Sequence, residues 1–359
     1  MKFVHIADIH MDSPFVNLSD KENLGELKRL EQRKKIKEVI EYIKENKIDM
    51  LFIAGDLYEQ QYIKKTTIEY INNLFKEIPE TQIYIAPGNH DPYLKNSYYS
   101  KYKWNENVKI FNSKIEKIEQ NEVDIYGYGF EDFYCTECGI ENLEIENPEK
   151  ENILIMHGTL DGANIEEKQY NSISTKMLEE KGFDYVALGH IHKTNFNKEN
   201  KIIYPGSLVS LGFDELGQHG MIVGEIKNKK LNIEFIPIKA SEFVEKRIDV
   251  TEIISKEELI EKIDSIEIQP NEYVKIILEG KRNFEINTYE LYKLIQEQKI
   301  IKIKNKTKIN YNLEEIENET TLKGLFAKEI KQKLDSKNLT NEQREILEKA
   351  IEIGFEALS

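Results

Sequence analysis

A chain of 359 residues with 40% hydrophobic side chains has enough material for two or three packed domains. Its 65 acidic residues outnumber 50 basic ones, and the net charge of −15 excludes a surface that attracts nucleic acid as a whole. No apolar stretch approaches a membrane span, and charge and histidine interrupt the apolar run of the opening MKFVHIADIH, so a cytoplasmic protein with no signal peptide and no membrane contact is expected.

In chain order, apolar strands alternate with helical patterns. FVHIADIH reads as a strand ending in Asp8 and His10. A helix is expected from Leu30 to Asn46, with Ile36, Val39, Ile40 and Ile43 at helical spacing. DMLFIAGD is a second strand, ending in Gly55 and Asp56, and a helix from Thr66 to Lys76 follows. QIYIAPGNHD is a third strand, ending in Gly88, Asn89, His90 and Asp91, and NILIMHG a fourth, ending in His157. A short helix from Ser174 to Lys181 leads to the fifth, FDYVALGHIH, which ends in Gly189, His190 and His192. KIIYPGSL, GMIVGEI and LNIEFIPI then read as successive strands that complete an α/β domain over residues 1–240.

Beyond residue 241 glycine nearly vanishes and lysine, glutamate and isoleucine dominate. Strands at Lys246–Val250, Tyr273–Glu279 and Ile300–Tyr311, with helices at Lys256–Ile266 and Thr288–Gln298, predict a small α/β domain over residues 241–315. In KIIKIKNKTKIN, Lys302, Lys304, Lys306 and Lys308 repeat at period two; they suit a phosphate-tracking stripe or an edge strand guarded by charge. Residues 320–359 read as two helices. Leu322, Leu325, Phe326, Ile330 and Leu334 line one face of the first, and Thr340 with Gln343 makes a capping box for the second. The second carries an apolar arc, including Ile346, Ile351, Ile353, Phe355 and Leu358, wider than one packed neighbour requires.

Gly189 removes a side chain where something must approach closely, and in an extended backbone His190 and His192 point to the same side. Alone, that pair suits exposed loop histidines as well as a metal. Five strands with the same polar punctuation at their carboxyl ends favour the metal. Asp8, His10, Asp56, Asn89, His157, His190 and His192 are more ligands than one tetrahedral ion needs. They suit two ions about 3.5–4 Å apart sharing one carboxylate, with Asp56 as the natural bridge. Oxygen and nitrogen donors without thiolate fit manganese, iron or zinc rather than calcium. Such a site keeps a charge of about +2 and attracts an anion, phosphate above all.

Adjacent side chains seldom converge on one atom, so His90 beside Asn89 is assigned proton donation to a leaving oxygen. Asp91 either orients His90 or caps the turn before Pro92. His5 has the opposite strand parity to Asp8 and reads as packed structure, whereas His219 in ELGQHG reads as surface. Cys135 and Cys138 form a lone C-x-x-C, best taken as two free loop thiols.

DIH, GD, GNHD, MHG and GHIH resemble, in order and spacing, the five signature blocks of the calcineurin-like metallophosphoesterases. HIADIHMDSPF, LFIAGDLYE and YPGSLVSLGF look like the SbcD-type DNA repair exonucleases, in particular their YhaO-like branch. The resemblance implies a four-layer αββα sandwich, two manganese ions on the seven ligands, and catalysis by the histidine matching His90. It also implies a capping domain, a possible homodimer, and a C-terminal helical segment that docks an SbcC-like ABC ATPase with a long coiled coil. The expected activity is metal-dependent hydrolysis of DNA. A phosphodiesterase or phosphatase for a small nucleotide or lipid headgroup is the alternative; a non-catalytic metal scaffold is disfavoured by the intact set of ligands and His90.

Overall fold

The computed structural model describes residues 1–15, 18, 23–135, 140–161, 173–296, 299–336 and 339–358. The chain divides into two compact units, Met1–Phe243 and Val244–Ser359.

The first unit holds β1 (Lys2–Ile6), β2 (Met50–Ile53), β3 (Gln82–Ile85), β4 (Val108–Ile110), β5 (Glu116–Glu119), β6 (Val123–Tyr128), β7 (Glu151–His157), β8 (Tyr185–Gly189), β9 (Ile202–Ile203), β10 (Gly220–Lys227) and β11 (Lys230–Pro237). They form a six-stranded sheet, β11-β10-β1-β2-β3-β4, and a five-stranded sheet, β5-β6-β7-β8-β9. β1 to β4 run parallel in the first, and β6 to β9 in the second. Strands buried on both faces need continuous apolar runs, which is why β2 is MLFI and β1 KFVHI.

Alternate residues serve different layers. Val4, Ile6, Leu51 and Ile53 face outward onto Ile36, Val39, Ile40 and Ile43 of α1 (Leu24–Asn46) and Ile68, Ile71 and Phe75 of α2 (Lys65–Lys76). Phe3, Ala7, Phe52, Ala54 and Tyr84 face inward onto Ile125, Ile153, Ile155, Tyr185 and Ala187 of the other sheet. Leu154, Met156, Val186 and Leu188 on that sheet's far side pack against Leu178, carried by a helix at Thr175–Lys181. The order is helix, sheet, sheet, helix: the expected αββα sandwich.

Two departures from the sequence reading have physical causes. α1 starts at Leu24 rather than Leu30, and its first turns are hidden in the sequence because Lys28 and Gln32, buried on its inner face, interrupt the apolar periodicity. Lys28 Nζ donates to Glu31 Oε2 at 2.6 Å and Ser241 Oγ at 2.9 Å. β6 does not stand out in the sequence because Asp124 interrupts its run; the carboxylate is buried and paired with Lys150 Nζ at 2.9 Å and Asn147 Nδ2 at 2.7 Å.

In the second unit, β12 (Glu242–Asp249), β13 (Glu272–Glu279) and β15 (Ile300–Asn305) form a three-stranded sheet in that order, and β14 (Lys281–Arg282) pairs with β16 (Lys308–Ile309). β15 is an edge strand, and Lys302, Lys304, Lys306 and Lys308 are all exposed. The helix pair comprises Leu322–Leu334 and Asn341–Ala357, the latter opened by the expected Thr340–Gln343 capping box. The packed face of the first is Gly324, Ala327 and Ile330, with the Phe326 ring 5.4 Å from that of Phe355. Leu322 and Leu325, expected on that face, are 72% and 66% exposed, and Ile346 and Ile353 of the partner helix 62% and 59%. Among the described residues no helix is long and apolar enough to cross a membrane. Cys135 lies 3.2 Å from Tyr128 Oη, and Cys138 falls outside the described residues.

His5 is packed as expected, with Nδ1 at 2.9 Å from Tyr185 Oη. Burial pushes its imidazole down to about 3, against a backbone hydrogen bond at Leu188. Between pH 6.5 and 3 the unfolded chain takes up a proton that the folded chain refuses, so stability falls with pH there. His5→Gln should flatten that acid limb by up to ~1.4 kcal/mol per pH unit, read from urea denaturation across pH. An unchanged slope would mean that His5 is protonated in the fold.

Candidate metal centre

The carboxyl ends of β1, β2, β3, β7 and β8 bring all seven candidate ligands together. The backbone turns sharply after β1, β2 and β8: Asp8, His10, Asp56 and His190 have φ of 52°, 49°, 53° and 108°. Left-handed backbone at a non-glycine residue costs on the order of 1–3 kcal/mol and persists only where the surroundings over-determine it. Here they do. Asp8 N–H donates to Gly55 O (3.1 Å), His10 N–H to Asp56 O (2.9 Å), and His190 N–H to the Asp8 carboxylate (3.0 Å). Gln32, unforeseen from sequence, donates through Nε2 to the carbonyls of Ile9 (2.7 Å) and His10 (3.0 Å). A Cβ on Gly189 would lie 1.8 Å from Ala54 O, which is the close approach the sequence implied.

The left-handed turn at His190 also overturns the period-two argument. β8 ends at Gly189, and the two histidine rings serve different neighbours. His192 Nε2 lies 3.2 Å from His10 Nε2 and 3.7 Å from Asp8 Oδ1. His190 Nδ1 lies 3.3 Å from Asn89 Oδ1, which is itself 3.0 Å from His157 Nε2. Asp56 stands between the groups, with Oδ2 at 3.6 Å from His10 Nε2 and 3.3 Å from His157 Nε2. Asp8, His10 and His192, and again Asp8, Asp56 and His157, each bring one donor atom apiece within 4.8 Å of the others.

The donor chemistry fits cations. In three of the rings Nδ1 is committed outward: His10 to Glu59 Oε1 (2.8 Å), His192 to Glu215 Oε1 (2.5 Å) and His157 to Ala54 O (2.9 Å). That fixes Nδ1 as a proton donor and turns each Nε2 inward. Inward nitrogens 3.2 Å apart, facing carboxylate and amide oxygens, need a positive species between them, either a proton or a metal. Without metal they are proton sites: burial works against it, but Asp56 raises His157 to about 9, and Glu215 and Asp8 raise His192 to about 9. Burial and the neighbouring His157 lower His190 to about 3. Burial alone would raise Asp56, yet His157, His10 and His90 hold it well below the usual carboxylate range.

His90 lies at the mouth of this cluster, its side chain 44% exposed. Its Nδ1 is 3.0 Å from Glu59 Oε2, so Glu59 holds His10 with one oxygen and His90 with the other. Burial opposes protonation of His90, but Glu59 and Asp56 raise it to about 9. Asp91 does not orient that ring through a hydrogen bond. Its carboxylate accepts from the backbone N–H of Asp56 (3.0 Å), Leu57 (2.7 Å) and Gly88 (2.7 Å) and from Tyr99 Oη (2.6 Å). It staples two ligand loops together, closer to the turn-capping alternative. His219 is also a correction: it is 8% exposed, with Nε2 donating to Glu215 O at 2.8 Å. Glu59 lies three residues after Asp56 in GDLYE and Glu215 in FDEL; only the partners in space mark either out.

Asp91→Asn puts an amide NH2 against backbone donors. We expect a loss of about 3 kcal/mol, since bonds to a charged group are worth ~1.5–3 kcal/mol each, read from urea denaturation of the metal-free protein. A loss under ~0.5 kcal/mol would remove the staple from the account.

The sequence profile of the calcineurin-like phosphoesterases matches residues 1–194. The chain is 26% identical over 278 residues to the uncharacterized metallophosphoesterase YhaO of Bacillus subtilis, covering 74% of this chain and 67% of that protein. It is 30% identical over 276 residues to the SbcD component of the SbcCD nuclease of Staphylococcus epidermidis, covering 67% of this chain and 70% of that protein. The same component from Staphylococcus saprophyticus is 28% identical over 275 residues, covering 67% and 69%. With the αββα sandwich and the histidine–aspartate cluster in place, these matches make the chain a member of the calcineurin-like phosphoesterase family, hydrolases that bind divalent metal ions.

Proposed function

We propose that this protein hydrolyses phosphodiester bonds in DNA with two divalent ions, manganese in the first instance and iron or zinc as alternatives. In this reading it is the cytoplasmic nuclease subunit of a complex with an SbcC-like ABC ATPase. The observation that carries the proposal is the cluster of ligands about Asp56, which falls into overlapping triads: Asp8, His10 and His192; Asp8, Asp56 and His157; and His10, Asp56 and His90. Asp8, His10, His192 and Asp56 would hold one ion; Asp56, Asn89, His157 and His190 would hold the other. Bound there, the ions would supply Lewis acidity and positive charge to a phosphate and to the water that attacks it. Residues 1–240 are assigned as the nuclease domain, 241–315 as the capping domain, and 320–359 as the ATPase-docking segment.

The residues then have separable tasks. Asp56 spaces the two sites. His90 presents an imidazole whose Nδ1 is tied to Glu59, leaving Nε2 to give a proton to the leaving oxygen. Glu59 and Glu215 each sit behind a ligand histidine and trim the surplus positive charge of the centre below the +2 that Asp8 and Asp56 alone would leave. Support for the partner comes from the relatives named for an SbcCD nuclease and from Leu322, Leu325, Ile346 and Ile353, exposed on the terminal helices.

The roles are tested by His90→Asn and Asp56→Asn. The first should retain both ions by mass spectrometry and lose roughly 10²–10⁴-fold in turnover on labelled single- and double-stranded DNA; the second should lose metal as well. Metal loss from the His90 variant would make it a ligand. Hydrolysis of bis-p-nitrophenyl phosphate without any DNA cleavage would favour a small phosphodiester as substrate.

The docking segment has its own test. Deleting residues 320–359 should leave metal content and small-phosphodiester hydrolysis intact and abolish co-purification with the ATPase. A sharply lower melting temperature with lost activity would mean that the helices are internal packing instead.

A further inference from the structure

His192 has no secondary structure to hold it. It lies beyond the end of β8, after the left-handed turn at His190, and its side chain is 26% exposed. His157, by contrast, is the last residue of β7, fully buried, with Nδ1 on a backbone carbonyl. Something other than secondary structure must aim the His192 ring.

We infer that Glu215, braced by Ser207 and His219, is a positioning residue that fixes the angle and tautomer of His192 at the metal centre. The contacts converge on Glu215 from both sides. Ser207 N–H donates to His192 O at 3.0 Å, which anchors the backbone of the ligand. Ser207 Oγ donates to Glu215 Oε2 at 2.8 Å, and Leu211 N–H to the same oxygen at 3.1 Å. The other oxygen, Oε1, accepts from His192 Nδ1 at 2.5 Å. His219 packs on the same pair, with Nε2 donating to Glu215 O at 2.8 Å and Nδ1 lying beside Ser207, 2.9 Å from Oγ and 3.1 Å from O. Ser207 is fully buried and His219 8% exposed, so neither is a chance surface contact.

The arrangement works only with a carboxylate. Both oxygens of Glu215 face donors, so neither position tolerates an NH2 group. A glutamine with its amide nitrogen toward His192 would force the ring to carry its proton on Nε2, the atom that faces Asp8 and His10. With the amide nitrogen on the other side, Ser207 can rotate its hydroxyl, but Leu211 N–H loses its acceptor. The carboxylate therefore keeps Nε2 of His192 available as a ligand and makes it more basic.

This inference rests on the two-ion reading proposed above, and its test separates the two. Nitrogen-15 spectra of the metal-free protein, recorded above pH 9 so that His192 is neutral, should show its one proton on Nδ1, and Glu215→Gln should move it to Nε2 or broaden it between the two. In calorimetric titration with manganese, Glu215→Gln should bind one ion as the wild type does and the second roughly 10–100-fold more weakly, the usual effect of removing a ligand's hydrogen-bond partner. Its metal-free melting temperature should stay within a few degrees. His219→Leu should weaken the same ion to a lesser degree, and His219→Gln, which restores a donor to Glu215 O, should recover it. The inference is overturned if Glu215→Gln leaves the tautomer and both affinities unchanged, or if both affinities fall in step with the melting temperature. A wild type that binds fewer than two ions would sink the two-ion reading, while the His192 tautomer would still decide the role of Glu215.

Discussion

One buried carboxylate organises this protein. Asp56 is 1% exposed, yet an ionised carboxylate in a protein interior is stable only when donors and cations surround it. Every polar atom of Asp56 is engaged. Its N–H donates to Asp91, its carbonyl accepts from Ile9 and His10, Oδ1 accepts from His90 N–H, and Oδ2 faces the imidazoles of His10 and His157. The left-handed turn at Asp56 is the backbone consequence of aiming that side chain back across the strand ends. The ends of β1, β2, β3 and β7 meet on it, so the packing of the strands and the geometry of the centre share one group.

Imidazoles and oxygen acceptors alternate around Asp56. Imidazoles of His10, His157 and His192 lie next to the carboxylates of Asp8 and Asp56, and behind them stand Glu59, the Ala54 carbonyl and Glu215. Each acceptor fixes one ring nitrogen and so decides what the other can do. Glu59 adds a coupling that the others lack, because its second oxygen holds His90.

The ligand positions are legible in the sequence because they follow short, continuous apolar runs, the pattern that a strand buried on both faces requires. Gly189 is legible for the same reason: a missing side chain in a well-defined strand end implies a close neighbour. What stays hidden is everything whose meaning depends on a partner far along the chain. Glu59, Glu215 and Gln32 are ordinary polar residues until His10, His192 and the carbonyl of Ile9 are placed beside them. His219 reads as surface because it lies among glycines, whereas Ser207 and Glu215 enclose it. The terminal helices present a different face from the one their apolar spacing suggests. Gly354 lets the Phe326 ring approach its helix, Gly324 lies against the carbonyls of Ile316 and Glu319, and small residues carry no hydrophobic signal at helical spacing.

The acidity of the chain and its proposed attraction for phosphate are compatible because they act over different distances. Carboxylates spread over the surface are screened within about 8 Å at physiological ionic strength, while the centre is buried and screened far less. A phosphate close to the centre would therefore feel its local positive charge, but a long polyanion would feel the net charge of −15 over most of its length. In the nuclease reading the centre alone can hold one phosphodiester and cannot by itself hold a duplex. In that reading grip on DNA comes from outside the centre, from exposed lysines such as Lys302 and Lys304 on β15 or from the proposed ATPase.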